Sequence, residues 1–237
     1  MRLSGIALFT IGVTTVLTVI LFMTTTPYER TSYYHYGIGF LHYKMKKYDD
    51  ASNRFEKSYT AWQDNLMALY FKSYSRMMWG ESLLHQDPGL YRSVRAEATE
   101  LIQKGEAVNH KNLYLFYYVK AWAHFDLHES ESADKYIKAA WNAKPDDYDV
   151  LILAGRVATA RREFRAAFSL FDEAAGRRTY RAYRAYFYRA EAHELSGDYD
   201  KAWYYYDKCL NDWPDKKLKT ESIRKKTEIM SKSPSAR

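Results

Sequence analysis

The chain is short of what a sheet protein or a disulfide-stapled one needs. One cysteine, Cys209, occurs in 237 residues, which excludes an intrachain disulfide and a cysteine-based metal site. Ten glycines and five prolines are too few for the turns of an all-β fold and favour helices. No Gly-rich phosphate loop, Gly-x-Ser-x-Gly elbow or Cys–His pairing occurs, so no constellation for catalysis is offered and no cofactor is expected. The net charge of +7 gives a mild attraction to acidic partners or anionic lipid. No reader motif is interleaved with the basic residues, which argues against a nucleic-acid partner.

Two features are present in excess: an apolar run and aromatic rings. "LSGIALFTIGVTTVLTVILFM", residues 3–23, contains no charge, and as a helix it is roughly 30 Å long, the thickness of a bilayer's hydrocarbon layer. It is too long for a signal-peptide core and no Ala-x-Ala-like site follows, so the expectation is an uncleaved transmembrane anchor over residues 1–27. Arg2 and the terminal amine ahead of the run favour a cytoplasmic N-terminus and an exported body, placing the protein in a bacterial inner membrane with its body on the periplasmic side. Lys44, Lys46 and Lys47 pull the other way. A mitochondrial outer membrane protein, or any body facing the cytoplasm, is the alternative. Thr10, Thr14 and Thr18 share one helix face, the spacing by which two copies pair within a membrane.

Aromatics make up 17% of the chain, and their placement is periodic. Four segments align without gaps: "KKYDDASNRFEKSY", "HESESADKYIKAAW", "RREFRAAFSLFDEA" and "SGDYDKAWYYYDKCL". Each has a small residue at one place (Ala51, Ala133, Ala167, Ala202) and a bulky one four residues on (Phe55, Ile137, Phe171, Tyr206). The last three alanines are 34 and 35 residues apart, from 133 to 167 and from 167 to 202. Apolar residues recur at helical spacing throughout, broken by short polar stretches.

This pattern resembles the tetratricopeptide repeat, a pair of antiparallel helices stacked into a right-handed solenoid. The resemblance extends to the small eighth position, filled by Gly39, Ala121, Gly155 and Ala190, and to Pro145 and Pro214 at repeat ends. It implies an all-α solenoid of about five hairpins over residues 28–214, with repeats at 32–65, 66–112, 113–147, 148–180 and 181–214. The second is irregular, with a break at "HQDPG". A capping helix and basic tail follow over 215–237, and the transmembrane helix precedes the stack.

The resemblance also implies a function. The family holds peptides or subunits of other proteins on its first helices, through their second, fifth, ninth and twelfth positions. Here the fifth and ninth read Tyr36 and Phe40, Tyr70 and Tyr74, Tyr118 and Trp122, Ile152 and Arg156, Phe187 and Glu191. The expected site is therefore an aromatic groove of Tyr36, Phe40, Tyr70, Tyr74, Tyr118 and Trp122, ending in Arg156 and Arg184. The reading is a membrane-tethered interaction module acting in assembly, transport or chaperoning, with a permanent structural subunit of a membrane machine as the alternative. Tyr36 and Phe40 stand where chaperone-tail binders of the family place lysine and asparagine, which argues against that ligand.

Two further groups stand out. Nine arginines between 156 and 189 face three acids, Glu163, Asp172 and Glu173, leaving a surplus suited to an acidic peptide or anionic lipid. His42, His124 and His193 share the eleventh repeat position. They are read as packing residues with a hydrogen bond, and the His124/His128 pair as no zinc site.

Overall fold

The computed structural model describes residues 25–82, 88–177, 182–212 and 214–232. The expected anchor at 3–23, with Thr10, Thr14 and Thr18, lies outside the described residues. Among those described, no helix is long and apolar enough to cross a membrane.

The described residues form eleven helices and no strand. They are α1 Pro27–Lys44, α2 Tyr48–Ala61, α3 Leu66–Ser82, α4 Pro88–Ala107, α5 Leu113–Asp126, α6 Ser130–Ala143, α7 Tyr148–Ala160, α8 Phe164–Arg177, α9 Ala182–Ser196, α10 Tyr199–Asn211 and α11 Lys216–Lys232. The chain divides into two compact units, one ending at His85 and the other beginning at Gln86. Helices α3 and α4, which the sequence reading joins as one hairpin over 66–112, fall on either side of this division.

In the first unit α1 packs on α2 and α2 on α3. A capping box starts α1: Glu29 N–H donates to Thr26 Oγ1 at 3.2 Å and Thr26 N–H donates to the Glu29 carboxylate at 2.6 Å, with Pro27 in the first turn. A buried polar knot ties the three helices together. Ser58 Oγ donates to the Ser32 carbonyl at 2.9 Å, and Asn65 Nδ2 donates to Ser32 Oγ at 3.0 Å. Every polar atom in such a knot needs a partner, so it fixes the relative register of its helices.

In the second unit α4 to α11 pack each on the next in chain order. The first helices of the hairpins also meet across repeats, α5 with α7 and α7 with α9, and α9 reaches α11. That inner row positions the candidate site described below.

One turn recurs through both units. After α1, α4, α5, α7 and α9 a residue adopts positive φ: Lys46, Asn109, His128, Arg162 and Gly197. The next N–H closes on the carbonyl five residues back, as in Lys47 to His42 at 2.9 Å, Glu129 to His124 at 2.9 Å and Asp198 to His193 at 3.0 Å. This is the Schellman closure, which satisfies the orphan carbonyls of a helix end and folds the next helix back antiparallel.

The small positions work as the repeat pattern requires. Ala51, Ala133, Ala167 and Ala202 are fully buried, and so are Phe55, Phe171 and Tyr206 opposite the first helices. A Cβ on Gly39 would come within 2.9 Å of the Phe55 ring. On Gly155 it would overlap the Phe171 ring. The glycines are thus set by a ring lying directly on the backbone of the neighbouring helix.

Candidate partner-binding site

The eight expected groove residues are divided four and four between the two units, and each unit treats them differently. In the first, the rings converge on Phe71, a residue the sequence reading passed over. Its ring centroid lies 5.9 Å from Tyr36, 5.8 Å from Phe40, 5.4 Å from Phe55 and 5.0 Å from Tyr70. Tyr43 bridges Phe71 to Tyr74 at 6.0 and 5.9 Å. Most of these contacts are edge-on or tilted, the geometry in which aromatic pairs attract beyond their buried area. Tyr70 keeps 5% of its surface, and only Phe40, at 36%, is open.

In the second unit Tyr118 and Trp122 keep 6% and 4% of their surface and pack edge-on at 5.8 Å. The expectation of an open aromatic trough is corrected for Tyr70, Tyr118 and Trp122. Stacked repeats have no central core, so each junction consumes its own rings.

The arginine surplus is smaller than the window suggests. Arg161 pairs with Glu131 at 2.5 Å and Glu163 at 2.9 Å, Arg177 with Glu173 at 3.0 Å, Arg184 with Asp149 at 2.7 Å, and Arg189 with Asp172. Glu131 and Asp149 lie outside the 156–189 window, so counting acids within the window missed them. Arg178 and Arg181 lie outside the described residues.

The histidines stand at the repeated turns. His124 Nδ1 lies 2.5 Å from the Glu129 carboxylate, and His193 Nδ1 lies 3.8 Å from that of Asp198. The His193 ring is sandwiched between Phe168 and Tyr205, with centroids at 4.0 and 5.4 Å. Burial pushes its pKa down to about 4, so it packs as a neutral ring. Among the described residues no group of three or more histidine, cysteine or acidic side chains stands together as a metal site. The ring-rich run at 203–205 is largely explained by the same packing. Tyr205 stacks on His193 and carries the Arg189 guanidinium at 4.3 Å, while Lys226 covers Trp203 at 3.8 Å.

A cavity of about 300 Å³ opens on the inner row of the second unit. Phe125 from α5, Arg156 and Thr159 from α7, Tyr188, Glu191 and Glu194 from α9 and Lys225 from α11 line it. Arg156 is held between two rings, 4.6 Å from Phe125 and 4.8 Å from Tyr188. Glu194 accepts from Lys225 Nζ at 3.1 Å and from the Tyr206 hydroxyl at 3.2 Å. The Glu191 side chain makes no hydrogen bond or ion pair among the described residues. Burial pushes its pKa up to about 7, against the pull of Arg156 and Lys225.

Of the expected site residues, Arg156 alone lines this cavity. Arg184 is engaged by Asp149 instead. Phe125, Thr159 and Glu194 occupy the twelfth position of their repeats, so the repeat frame did point to them. Lys225 belongs to the last helix, outside the frame, and no sequence signal places it there.

Antiparallel hairpins joined by one repeated turn, with small residues seated under bulky ones, define an α-solenoid. More narrowly, the fold is that of tetratricopeptide-repeat proteins. A thermophilic tetratricopeptide-repeat protein of Thermus thermophilus, TTC0263, aligns over 82% of this chain and 98% of its own, with a TM-score of 0.67 and 18% identity. YrrB, a tetratricopeptide-repeat protein with an unusual peptide-binding site, aligns over 80% of this chain and 90% of its own (TM-score 0.53, 14% identity). MamA of Desulfovibrio magneticus RS-1 aligns over 76% and 94% (TM-score 0.55, 12% identity). At such identities the likeness establishes the fold. No family model and no curated protein matches the sequence.

Proposed function

We propose that the protein is a membrane-tethered interaction module that holds a segment of another protein on the inner row of its second unit. The observation that carries this reading is the cavity between α5, α7, α9 and α11. Among the described residues, the inner row of the second unit keeps a ring-walled opening lined by charged side chains. Pockets of this kind, apolar walls with a few placed charges, are where proteins take up ligands. The peptide-binding site named for YrrB, which has the same fold, is consistent with it.

The tether is the uncharged run at 3–23, and the outward side of α1 supports it. Tyr28, Tyr34 and Leu41 keep 71%, 63% and 59% of their surface, next to Arg30 and Lys44. Tyrosines with flanking basic residues suit the headgroup layer beside a membrane span. In this reading the body is exported across a bacterial inner membrane.

A photo-crosslinking residue at Leu195, on the cavity rim, tests the capture reading in cells against one at Tyr204, an exposed ring that does not line the cavity. Crosslinking of one partner from 195 and not from 204, abolished by Arg156→Ala with Glu194→Ala, is the expected result. Equal crosslinking from both positions overturns it. Recovery of that partner in fixed stoichiometry through high salt would favour a permanent subunit. Flotation with vesicles and protease protection in spheroplasts check the tether and its orientation.

A further inference from the structure

Three features were left unused by the packing: the open side of α1, the ring-and-lysine face around Tyr186 and Lys208, and the Glu191 carboxyl. The last goes furthest, because its surroundings specify the chemistry of what is missing.

Glu191 lines the cavity with neither a hydrogen bond nor an ion pair to its side chain among the described residues. The charged groups around it come from three helices. Arg156 projects from α7, Glu194 stands on α9 one turn on, and Lys225 and Glu221 stand on α11. The Tyr206 hydroxyl of α10 faces the same carboxyls. With Glu191 itself, three carboxyls meet three cations, because Arg224 of α11 pairs with Glu221. Lys225 is committed as well, since it donates to Glu194 at 3.1 Å. Arg156 lies over the faces of Phe125 and Tyr188. Of the three carboxyls, Glu191 is therefore the one with no cation paired to it.

Desolvation says the same. A carboxylate taken out of water is stable only with a counter-charge or several donors. Glu191 has no donor and no cation paired to it, and burial raises its pKa to about 7 against the pull of Arg156 and Lys225. A ligand that supplied a positive charge would restore ionisation and release that proton. A ligand carboxylate would do the reverse, requiring Glu191 to remain protonated and crowding a fourth acid into the site.

We propose that the cavity is a receptor for one cationic side chain of the bound partner, a lysine ammonium or an arginine guanidinium, with Glu191 as its counter-charge and the Tyr188 and Phe171 rings as its walls. The volume of about 300 Å³ stands at the low end of ligand pockets. It admits a side chain and excludes a folded element. An aromatic wall beside a carboxylate is a favourable setting for a cation. This rests on the reading that the inner row takes a partner segment, and gives the partner a required charge at one position.

The test uses the full chain in a neutral detergent, with Nα-acetyl-lysine amide, Nα-acetyl-arginine amide and Nα-acetyl-glutamate amide as probes. Glutamate-selective carbon-13 labelling follows the Glu191 carboxyl by NMR. The expected result is saturable millimolar binding of a cationic probe, with the Glu191 titration moved down by about one unit as each bound cation displaces a proton. Glu191→Gln should weaken that binding at least tenfold. Arg156→Gln, which removes a competing positive charge, should tighten it or leave it unchanged.

Tighter binding of the glutamate probe, an upward movement of the titration, or a loss of cation binding in Arg156→Gln overturns the proposal. Absence of any binding up to 100 mM of the cationic probes, a concentration we choose as the limit, overturns it too. If Glu191→Gln does not fold, the wild-type titration and the Arg156 variant still decide. Crosslinking of a protein partner from Leu195 with no cation binding would sink this inference alone. Cation binding with no partner would sink the capture reading and leave the site.

Discussion

The two units differ in what they place at one repeat position, and the junctions there come out differently. In the first, Tyr36, Phe40, Tyr70 and Tyr74 gather on Phe71 and Tyr43, with Lys44 lying over the Phe40 ring. In the second, the ninth position is Arg156 in one repeat and Glu191 in the next, and the row stays open around them. A ring can be buried by another ring at a gain, whereas a guanidinium or carboxyl resists burial by the desolvation it would incur. Charge in place of a ring at that repeat position accompanies the opening. The packed and the open junction of this solenoid differ in the identity of the inner-row residue.

The comparison breaks most sharply at the two phenylalanines. Phe171 keeps 1% of its surface and walls the cavity, while Phe71 is the hub of the ring cluster in the first unit. Removing Phe171 should destabilise its unit by about 3–5 kcal/mol, the usual cost of Phe→Ala in a packed interior, and removing the partly buried Phe71 by less. Chemical denaturation measures both. Only Phe171→Ala should also change the binding of a cationic probe. An equal effect of Phe71→Ala on binding would mean that the rings of the first unit belong to the site after all.

A second, smaller effect is specific to the charged unit and depends on pH. Glu191 titrates at about 7 in the folded chain, against roughly 4.3 when unfolded. Between those values the folded chain holds a proton that the unfolded chain has released, so stability falls as pH rises through the window. His193 acts in the opposite sense. Its pKa is about 4 when folded and roughly 6.5 when unfolded, so its contribution is lost as pH falls from about 6.5 towards 4. Glu191→Gln, which mimics the protonated acid, should leave stability at pH 4 unchanged and raise it at pH 8 by on the order of 2 kcal/mol. That is below the full linkage value, because the side chain keeps part of its surface open to solvent. Urea melts at the two pH values check it. A pH-independent difference would remove Glu191 from the account.

How far the sequence carried the reading follows from the range of the forces involved. The helices, their turns and the small-under-bulky contacts are local or nearest-neighbour properties repeated every 34 or 35 residues, and repetition makes them legible. Ala133, Ala167 and Ala202 marked the buried seam directly. Exposure was not legible, because whether Tyr118 or Trp122 faces a partner or a neighbouring helix depends on how tightly consecutive repeats close. The arginine count overstated the surplus for a related reason. Arg184 finds Asp149 a full repeat away, 35 residues back, and a windowed count cannot see a partner at that distance. Phe71 and Lys225 stand outside the groove positions of the repeat frame, so no pattern in the frame could point to them.

The smallest effect probes a kind of seam that each unit contains separately. Gly39 and Gly155 occupy one repeat position, and each lies under a phenylalanine ring. Helix propensity alone predicts that Gly→Ala gains about 1 kcal/mol at either site. Packing predicts a loss, and a different loss in each unit. At Gly39 the new Cβ would meet Phe55 at 2.9 and 3.0 Å, a contact the ring relieves with a small shift beside the half-open Tyr36. At Gly155 the overlap with Phe171 is deeper, and that ring is fixed between the buried seam and the cavity wall. Gly155→Ala should therefore cost about 1–3 kcal/mol, the usual range for an overpacked interior. Gly39→Ala should stay within about 1 kcal/mol of the parent, where propensity and crowding offset each other. Denaturant midpoints of the two variants decide the order. If Gly39→Ala proves the more costly, the ring cluster of the first unit is the more rigid of the two junctions, and the open cavity of the second lets Phe171 move aside.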